Sequence, residues 1–369
     1  MKKLLITTDT FLPRWDGIAR FLSEMIPGLR DAFQITIVCP AFPGVAPQIP
    51  GVKLVRFPLV NIRFGDIFFS SFNRKRVKAL VREHDLVFNN SLGPIGMSAI
   101  LAAKKLKRPV VSYVHNIEWD LVSKSVKRFK RLAWFSMKLV ARWFYNRCTL
   151  LLVPSKELEE LLTIEGVRTK KFVVQLGVDT VKFVPPVTRT DAKKNVGINP
   201  ALTVIGYVGR LAREKNLGTL YSAFQKIKRE FKDAILLIVG AGIDEMTRPD
   251  PRVIFVGNQD VVAPYYQAMD VYVLPSLTET TSLSTLEAMA SGCAVLSTPV
   301  GSIREYIDDG KNGLIFPRRD VNTLAELLRF MLTHEKTRQA LGSAARKTVE
   351  ETRSSKNVVI QIRNALLSV

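Results

Sequence analysis

The feature that most constrains this chain is a repeating pattern of short apolar runs and amphipathic stretches, which begins at the first residues, stops once, and begins again. Runs from Lys3 to Thr7, Ile35 to Cys39, Leu54 to Phe57, Leu86 to Asn89, Val110 to Val114 and Leu150 to Val153 read as strands buried on both faces. Stretches of helical periodicity separate them, the first from Ile18 to Leu29. The pattern lapses through Phe183-Val-Pro-Pro-Val-Thr-Arg-Thr-Asp191, where Pro185-Pro186 marks a linker. It resumes with a strand from Thr203 to Val208 and a helix from Leu217 to Glu230, then strands at Ile235 to Val239, Val253 to Val256, Val271 to Leu274 and Ala294 to Thr298. Such alternation builds doubly wound parallel sheets. The expected class is α/β, with two Rossmann-like doubly wound domains, 1–184 and 185–353, facing each other across an interdomain cleft lined by strand C-termini. At 369 residues the chain exceeds one ordinary core, which fits two.

Composition narrows the class further. No run approaches the length of a bilayer span, and Met-Lys-Lys-Leu-Leu-Ile-Thr-Thr-Asp-Thr turns polar too early for a signal peptide, so a cytoplasmic protein is expected. Cys39, Cys148 and Cys293 are odd in number and widely spaced, which suits three small core residues better than disulfides or a zinc site. The formal charge of +21 is uneven: residues 1–184 carry 30 Lys+Arg against 14 Asp+Glu, and the remainder 24 against 19. The front half therefore faces something anionic. Nucleic acid is not expected, because no recognised binding motif accompanies the charge.

Chemistry concentrates after the run Val271-Tyr-Val-Leu274, where Glu279 and Glu287 stand with seven residues between them. Leu283, Leu286 and Met289 recur at helical spacing, Ser282 or Ser284 can cap, and Gly292 ends the run. A helix start pointing out of a strand is an anion site, and here one carboxylate precedes it while the other lies within the helix. A ligand with a phosphate middle and hydroxyls at both ends suits this layout, and a nucleoside diphosphate-sugar is such a ligand. Gly209-Arg-Leu-Ala-Arg-Glu-Lys-Asn216 adds a sharp turn and two cations, Arg210 and Lys215, able to reach one anion. A solvated basic loop is the plain alternative.

Three further readings come from the front half. Gly17, in Asp16-Gly17-Ile18, sits between the first strand and helix, where a small residue permits close ligand approach. His115 ends the run Val110-Val-Ser-Tyr-Val-His, at the edge expected to line the cleft, and is expected to contact a sugar or phosphate, donating a hydrogen bond without titrating, against the plain alternative of a satisfied structural histidine. Residues 121–156 hold nine basic residues and no acid. At helical spacing Val126, Phe129, Leu132, Ala133, Met137, Val140, Trp143 and Phe144 line one face, Lys127, Lys130, Arg131, Lys138 and Arg142 the other, with Trp134 and Phe135 at the border. With a second basic segment, Arg74 to Arg82 behind Phe68, Phe69 and Phe72, this points to contact with an anionic membrane, against the alternative of a core-packed helix with a solvated basic face. No Asp-x-Asp pair or histidine-carboxylate cluster has metal spacing, so neither a catalytic metal nor another cofactor is expected.

Taken in order, Gly209-Arg210 with Lys215, Gly240-Ala-Gly242, Val253-Ile-Phe-Val-Gly257, Asp270-Val-Tyr-Val-Leu-Pro-Ser276, the Glu279/Glu287 pair with Ala288-Met-Ala-Ser-Gly292, and Gly301 to Glu305 resemble the retaining glycosyltransferases of GT-B architecture, family four type. Leu176-Gly-Val-Asp179 with Phe183 and His115 extend the likeness over nearly the whole chain. The resemblance implies that Glu287 holds ribose hydroxyls, Glu279 contacts the transferred sugar, Arg210 and Lys215 hold the diphosphate, and backbone near Val256 and Gly257 frames the base. It also implies that the C-terminal helix, 354–369, packs back on the first domain. Thr280-Thr281-Ser282 stands where the family commonly has Gly-Phe-Gly, placing side chains beside the amides ahead of Leu283. Asp16 replaces the first of two front-loop glycines and Leu176 an asparagine.

The expected activity is transfer of a sugar, with retention, from a nucleotide-diphosphate-sugar to a lipid-linked or anionic glycan acceptor by a peripheral protein on the inner face of the cell membrane. A sugar-nucleotide epimerase and a non-catalytic membrane or polyanion-binding module are the competing readings.

Overall fold

The computed structural model describes residues 1–14, 16–45, 48–64, 67–71, 73–125, 129–242, 250–279 and 281–369. It divides the chain into two compact units, Met1–Gln175 with Val358–Val369, and Leu176–Asn357. The first runs β1 (Lys2–Thr7), α1 (Gly17–Leu29), β2 (Phe33–Pro40), β3 (Val52–Phe57), β4 (Leu59–Phe64), β5 (Ile67–Ser70), α2 (Arg74–Glu83), β6 (Leu86–Asn89), α3 (Pro94–Leu106), β7 (Val110–Tyr113), α4 (Glu118–Ser125), α5 (Lys130–Tyr145), β8 (Leu150–Val153), α6 (Lys156–Ile164) and β9 (Lys171–Val173). Seven of these strands form a sheet in the order β3-β2-β1-β6-β7-β8-β9, every pair parallel, while β4 and β5 make an antiparallel hairpin. The strand order reverses between β1 and β6, and ligands of such sheets bind beyond the strand C-termini at that point.

The second unit runs α7 (Arg189–Asn195), β10 (Thr203–Val208), α8 (Leu217–Ile227), β11 (Ala234–Val239), β12 (Val253–Gly257), α9 (Ala263–Ala268), β13 (Val271–Leu274), α10 (Leu283–Ala290), β14 (Ala294–Ser297), β15 (Leu314–Ile315), α11 (Val321–Thr333), α12 (Glu335–Thr352) and the start of α13 (Ser355–Leu367). Its sheet has the order β12-β11-β10-β13-β14-β15 and reverses between β10 and β13. Strands β11, β13 and β14 are buried at every residue, because helices cover both faces of the sheet.

The division falls before Leu176, ahead of the expected linker at Pro185-Pro186. Residues 176–184 are built into the second unit: Val178 bridges Ser354, and the Phe183 ring lies 5.8 Å from that of Tyr266. The later part of α13 belongs to the first unit, where Val359 lies so close to Gly28 that a Cβ there would sit 2.4 Å from Val359 Cγ1. All three cysteines are free and buried.

Candidate functional site

In the second unit, β10 and β13 end side by side, and each is followed by a loop and a helix. After β10 the chain turns at Gly209, whose φ of 152° is a left-handed value that suits glycine. Gly240, after β11, comes so near that a Cβ would stand 1.9 Å from Gly209 O. Backbone bonds from Gly209 N to Val239 O (3.0 Å) and Leu211 N to Ala241 O (3.0 Å) carry the pairing beyond the strands. This rail leads to Lys215, whose Nζ donates to Glu279 Oε1 at 2.6 Å. Ser276 Oγ donates to the same oxygen at 2.8 Å. Glu279 is only 10% exposed, so the two donors hold its carboxylate in one place beyond β13.

Helix α10 follows. Ser282 is its N-cap, its Oγ accepting from Thr285 N at 3.3 Å. Ser284 Oγ accepts from Tyr272 OH at 2.9 Å, and Thr281 Oγ1 lies 3.0 Å from Ser302 Oγ. The first amides of a helix have no intrahelical acceptor, so the segment ahead of Leu283 retains donor capacity. Gly292, at φ 69°, ends the helix in the left-handed conformation that the apolar spacing predicts. Glu287 lies one turn into α10 and is buried, its Oε2 accepting from Tyr266 OH at 2.7 Å. Thr280 lies outside the described residues.

Arg210 does not join the Lys215–Glu279 pair. Its Nη2 donates to Glu214 Oε1 at 2.9 Å, and its side chain is 70% exposed. Gly257, the last residue of β12, accepts from Gly240 N at 2.8 Å, and Val256 O accepts from Gln259 Nε2 at 3.3 Å. The sheet therefore holds both beside the Gly209–Gly240 rail.

The expected residues of the first unit are Gly17, beyond the loop that follows β1, and His115, just past the end of β7. Gly17 is the first residue of α1, and space around it is open, with no atom within 4 Å of where a Cβ would be. Asp16 caps that helix, Oδ1 accepting from Ile18 N (3.1 Å) and Ala19 N (2.9 Å), and Thr10 Oγ1 donates to its other oxygen. His115 Nε2 lies 3.1 Å from Asn90 Oδ1, and its ring packs edge-on against Phe21 at 4.8 Å. Burial lowers its pKa to about 3, so the ring is neutral near neutral pH.

Two acids in this unit carry no motif and were invisible as a pair in the sequence. Asp9 receives Gly93 N (3.0 Å), Ile95 N (2.9 Å) and Gly96 N (3.2 Å) at the start of α3, together with Ser91 Oγ (2.7 Å). Burial nevertheless holds its carboxyl above the usual range. Glu118 accepts from Tyr145 OH at 3.0 Å, and burial together with the nearby Asp9 charge pushes it up to about 7. Ser276 and Tyr266 were also missed, since no spacing rule links them to the glutamates they hold.

Leu132, Val140 and Trp143, expected to share a face of α5 with Met137 and Phe144, do not. Trp134 Nε1 donates to Asp120 Oδ1 at 2.8 Å and Tyr145 OH to Glu118, which rotates α5 so that Trp134, Met137, Ala141, Phe144 and Tyr145 turn inward. Leu132, Phe135, Leu139 and Trp143, at i, i+3, i+7 and i+11, are left 46–65% exposed beside exposed Lys130, Arg131 and Arg142. Phe72, Val126 and Lys127, part of the same expectation, lie outside the described residues.

Both doubly wound sheets carry polar residues past their strand C-termini, one set built around a Lys–Glu pair ahead of a helix start, and comparison with known proteins gives the class. Residues 203–334 match the family model described as Glycosyl transferases group 1, and residues 15–182 that described as Glycosyltransferase Family 4. The chain belongs to this family: it is a glycosyltransferase with the two Rossmann-like domains of the GT-B fold. It is 26% identical over 380 residues, covering 95% of this chain and 94% of the relative, to a GDP-mannose-dependent alpha-(1-6)-phosphatidylinositol monomannoside mannosyltransferase of Mycobacterium tuberculosis. An alpha-monoglucosyldiacylglycerol synthase of Streptococcus pneumoniae is 23% identical over 329 residues, covering 84% and 74%. Among solved structures, Anabaena Alr3699/HepE in complex with UDP superposes with a TM-score of 0.81 at 17% identity over the whole of both chains.

Proposed function

We propose that the protein transfers a sugar, with retention of configuration and without a metal, from a nucleotide-diphosphate-sugar to a lipid-linked or anionic glycan acceptor at a membrane surface. The observation that carries the donor half is the Lys215–Glu279–Ser276 contact ahead of the α10 start. On donor binding Lys215 exchanges its carboxylate partner for the leaving diphosphate, with Arg210 swinging in from its exposed position, and the freed Glu279 oxygen accepts from a sugar hydroxyl. As the glycosidic bond breaks, negative charge develops on the phosphate oxygen, where Lys215 and the helix amides oppose it. Glu287 and the backbone at Val256 and Gly257 take the nucleoside. Relatives named for GDP-mannose and a structural neighbour holding UDP support this donor class.

The acceptor half rests on α5, whose apolar stripe carries cations along its flanks, the complement of a bilayer with anionic headgroups. No helix among the described residues is long and apolar enough to cross a membrane, so contact would be peripheral. Relatives named for phosphatidylinositol monomannoside and diacylglycerol support a lipid acceptor.

A thermal-shift screen across UDP-, GDP- and ADP-sugars tests the donor reading, since a ligand that binds the folded state raises the melting temperature. No shift with any of them would overturn it. Proton NMR of the first-formed product tests retention, an inverted anomer being the contrary result. Sedimentation with anionic vesicles, lost at high salt and reduced in Phe135→Ser/Trp143→Ser, tests the membrane reading; equal sedimentation with neutral vesicles would oppose it.

A further inference from the structure

At the opposite end of the first unit's sheet from His115 and Asp9, a cavity of about 810 Å³ opens where β1, β6, β7 and β8 begin and α3 ends. Its walls carry five cations, Lys2, Lys104, Lys107, Arg108 and Arg147, against the side-chain carboxylate of Asp85 and the main chain of Val369. Asp85 is already engaged, its Oδ2 accepting from Lys3 N at 2.7 Å. Among the described residues none of the five pairs with an Asp or Glu side chain, although Lys2 Nζ donates to Val369 O at 3.3 Å and Arg108 Nη2 to Arg82 O at 3.5 Å. Lys104 and Lys107 alone would answer the carbonyl end of α3. Arg147 answers the carbonyl end of α5 through Trp143 O, and the side chain of Arg108, between α3 and β7, that of α2 through Arg82 O, whereas Lys2, from β1, answers no helix end.

Two of the cations are held in ways that a solvated fringe does not require. Arg147 Nη1 donates to Trp143 O at 2.7 Å, and its guanidinium carbon stands 3.3 Å from the centre of the Trp143 ring, which fixes the charge at the cavity wall. Lys107 closes α3 at φ 54°, a left-handed position that usually falls to glycine or asparagine. Like charges gathered around one space repel each other unless an anion occupies it. Trp143 also belongs to the exposed stripe of α5, so the cavity adjoins the surface proposed to meet a bilayer.

We propose that this cavity is a second anion site, separate from that of the donor, which takes a phosphate group: the headgroup of an anionic phospholipid or a soluble phosphate compound. The lipid form rests on the membrane reading above, whereas the phosphate pocket does not. Three proteins separate the cases: wild type, the pocket variant Lys104→Gln/Lys107→Gly/Arg147→Gln, and a control that loses equal charge elsewhere, Lys311→Gln/Lys336→Gln/Lys347→Gln. Glycine at 107 suits the left-handed backbone, so the pocket variant keeps the end of α3.

Calorimetric titration with inorganic pyrophosphate in moderate salt should show a binding event in wild type and control that is weakened in the pocket variant, roughly tenfold for each cation removed. The event at the donor site should persist in all three. Sedimentation with phosphatidylglycerol vesicles then identifies the source. Loss in the pocket variant beyond that in the control assigns a lipid headgroup, and unchanged sedimentation alongside lost pyrophosphate binding assigns a soluble phosphate. Failure of wild type to sediment would remove the membrane reading and leave the pyrophosphate result standing. A pocket variant that matches the control in both measurements would overturn the pocket.

Discussion

In the first unit the helices flanking the strand reversal begin on carboxylates: Asp16 takes the amides of Ile18 and Ala19 at α1, and Asp9 those of Gly93, Ile95 and Gly96 at α3. In the second unit the equivalent helices begin on neutral residues. Ser282 caps α10 with a hydroxyl, and α8, beginning just after Lys215, has no side-chain cap bond from Asn216. The same fold thus presents its anion-binding ends in opposite states. Where an internal carboxylate already neutralises the amides, a diphosphate would meet repulsion, and a hydroxyl-bearing acceptor is the better guest. Where the cap is neutral and a lysine stands alongside, a diphosphate completes the charge.

The largest effect should follow from removing the charge that distinguishes the second unit. Lys215→Ala is expected to lower turnover about 10²–10³-fold, the scale of one lost preorganised donor. Steady-state kinetics with the donor found by the thermal-shift screen checks this, and near-normal turnover would erase the contrast between the units. Because Glu279 is poorly exposed and loses its partner, a separate melting curve of this variant distinguishes lost catalysis from lost folding.

The first unit's internal acids should declare themselves through pH. Glu118 has its pKa raised to about 7 in the folded protein, chiefly by burial, so the folded state holds its proton more tightly than the unfolded chain. Its contribution is fully present below the ordinary glutamate pKa and is lost as pH rises toward 7. His115, lowered to about 3, acts with the opposite sign: its contribution is present above the ordinary histidine pKa and is lost as pH falls toward 3. Glu118→Gln should therefore melt higher than wild type at pH 8, by up to about 2–3 kcal/mol of stability, with the advantage shrinking toward pH 5. An advantage that did not change with pH would mean that Glu118 is ionised throughout.

Much of this was legible in the sequence because burial on both faces writes strands as unbroken apolar runs. The runs at Val271–Leu274 and Leu150–Val153 coincide with β13 and β8 residue for residue. The α10 start was legible to within two residues for a similar local reason: serines at 282 and 284 precede the apolar spacing, and the structure uses the first as the cap. What escaped notice depends on partners distant in the chain. Asp9 meets α3 across more than eighty residues, and Tyr266 meets Glu287 across twenty-one. The roll of α5 was misread because Trp134 and Phe135 are equally apolar, and only the bond from Trp134 to Asp120 decides which of them turns inward. The short β9 and β15 lack the length to announce themselves, with three and two residues.

A smaller effect should come from giving the second unit the cap of the first. Ser282→Asp places a carboxylate where Ser282 Oγ now accepts from Thr285 N. Aspartate is as good an N-cap as serine, so stability should hold or rise slightly. Donor affinity should fall by roughly tenfold, or about 1.4 kcal/mol, because the new charge faces the diphosphate. Calorimetry with the donor nucleotide separates the two, and unchanged affinity would show that the phosphates do not approach the α10 start.

The converse change is the smallest and isolates what Asp16 does. Asp16→Asn keeps an acceptor for Ile18 N and Ala19 N but removes the charge, which should cost a few tenths of a kcal/mol, whereas Asp16→Ala loses the cap and should cost about 1 kcal/mol. Donor affinity should be unaltered in both, since the neutralised helix belongs to the unit assigned to the acceptor. Denaturant midpoints and donor titrations on the pair supply the readings. If Asp16→Asn were folded yet as inactive as Lys215→Ala, the carboxylate would be serving the reaction itself, and its likeness to a plain helix cap would be incidental.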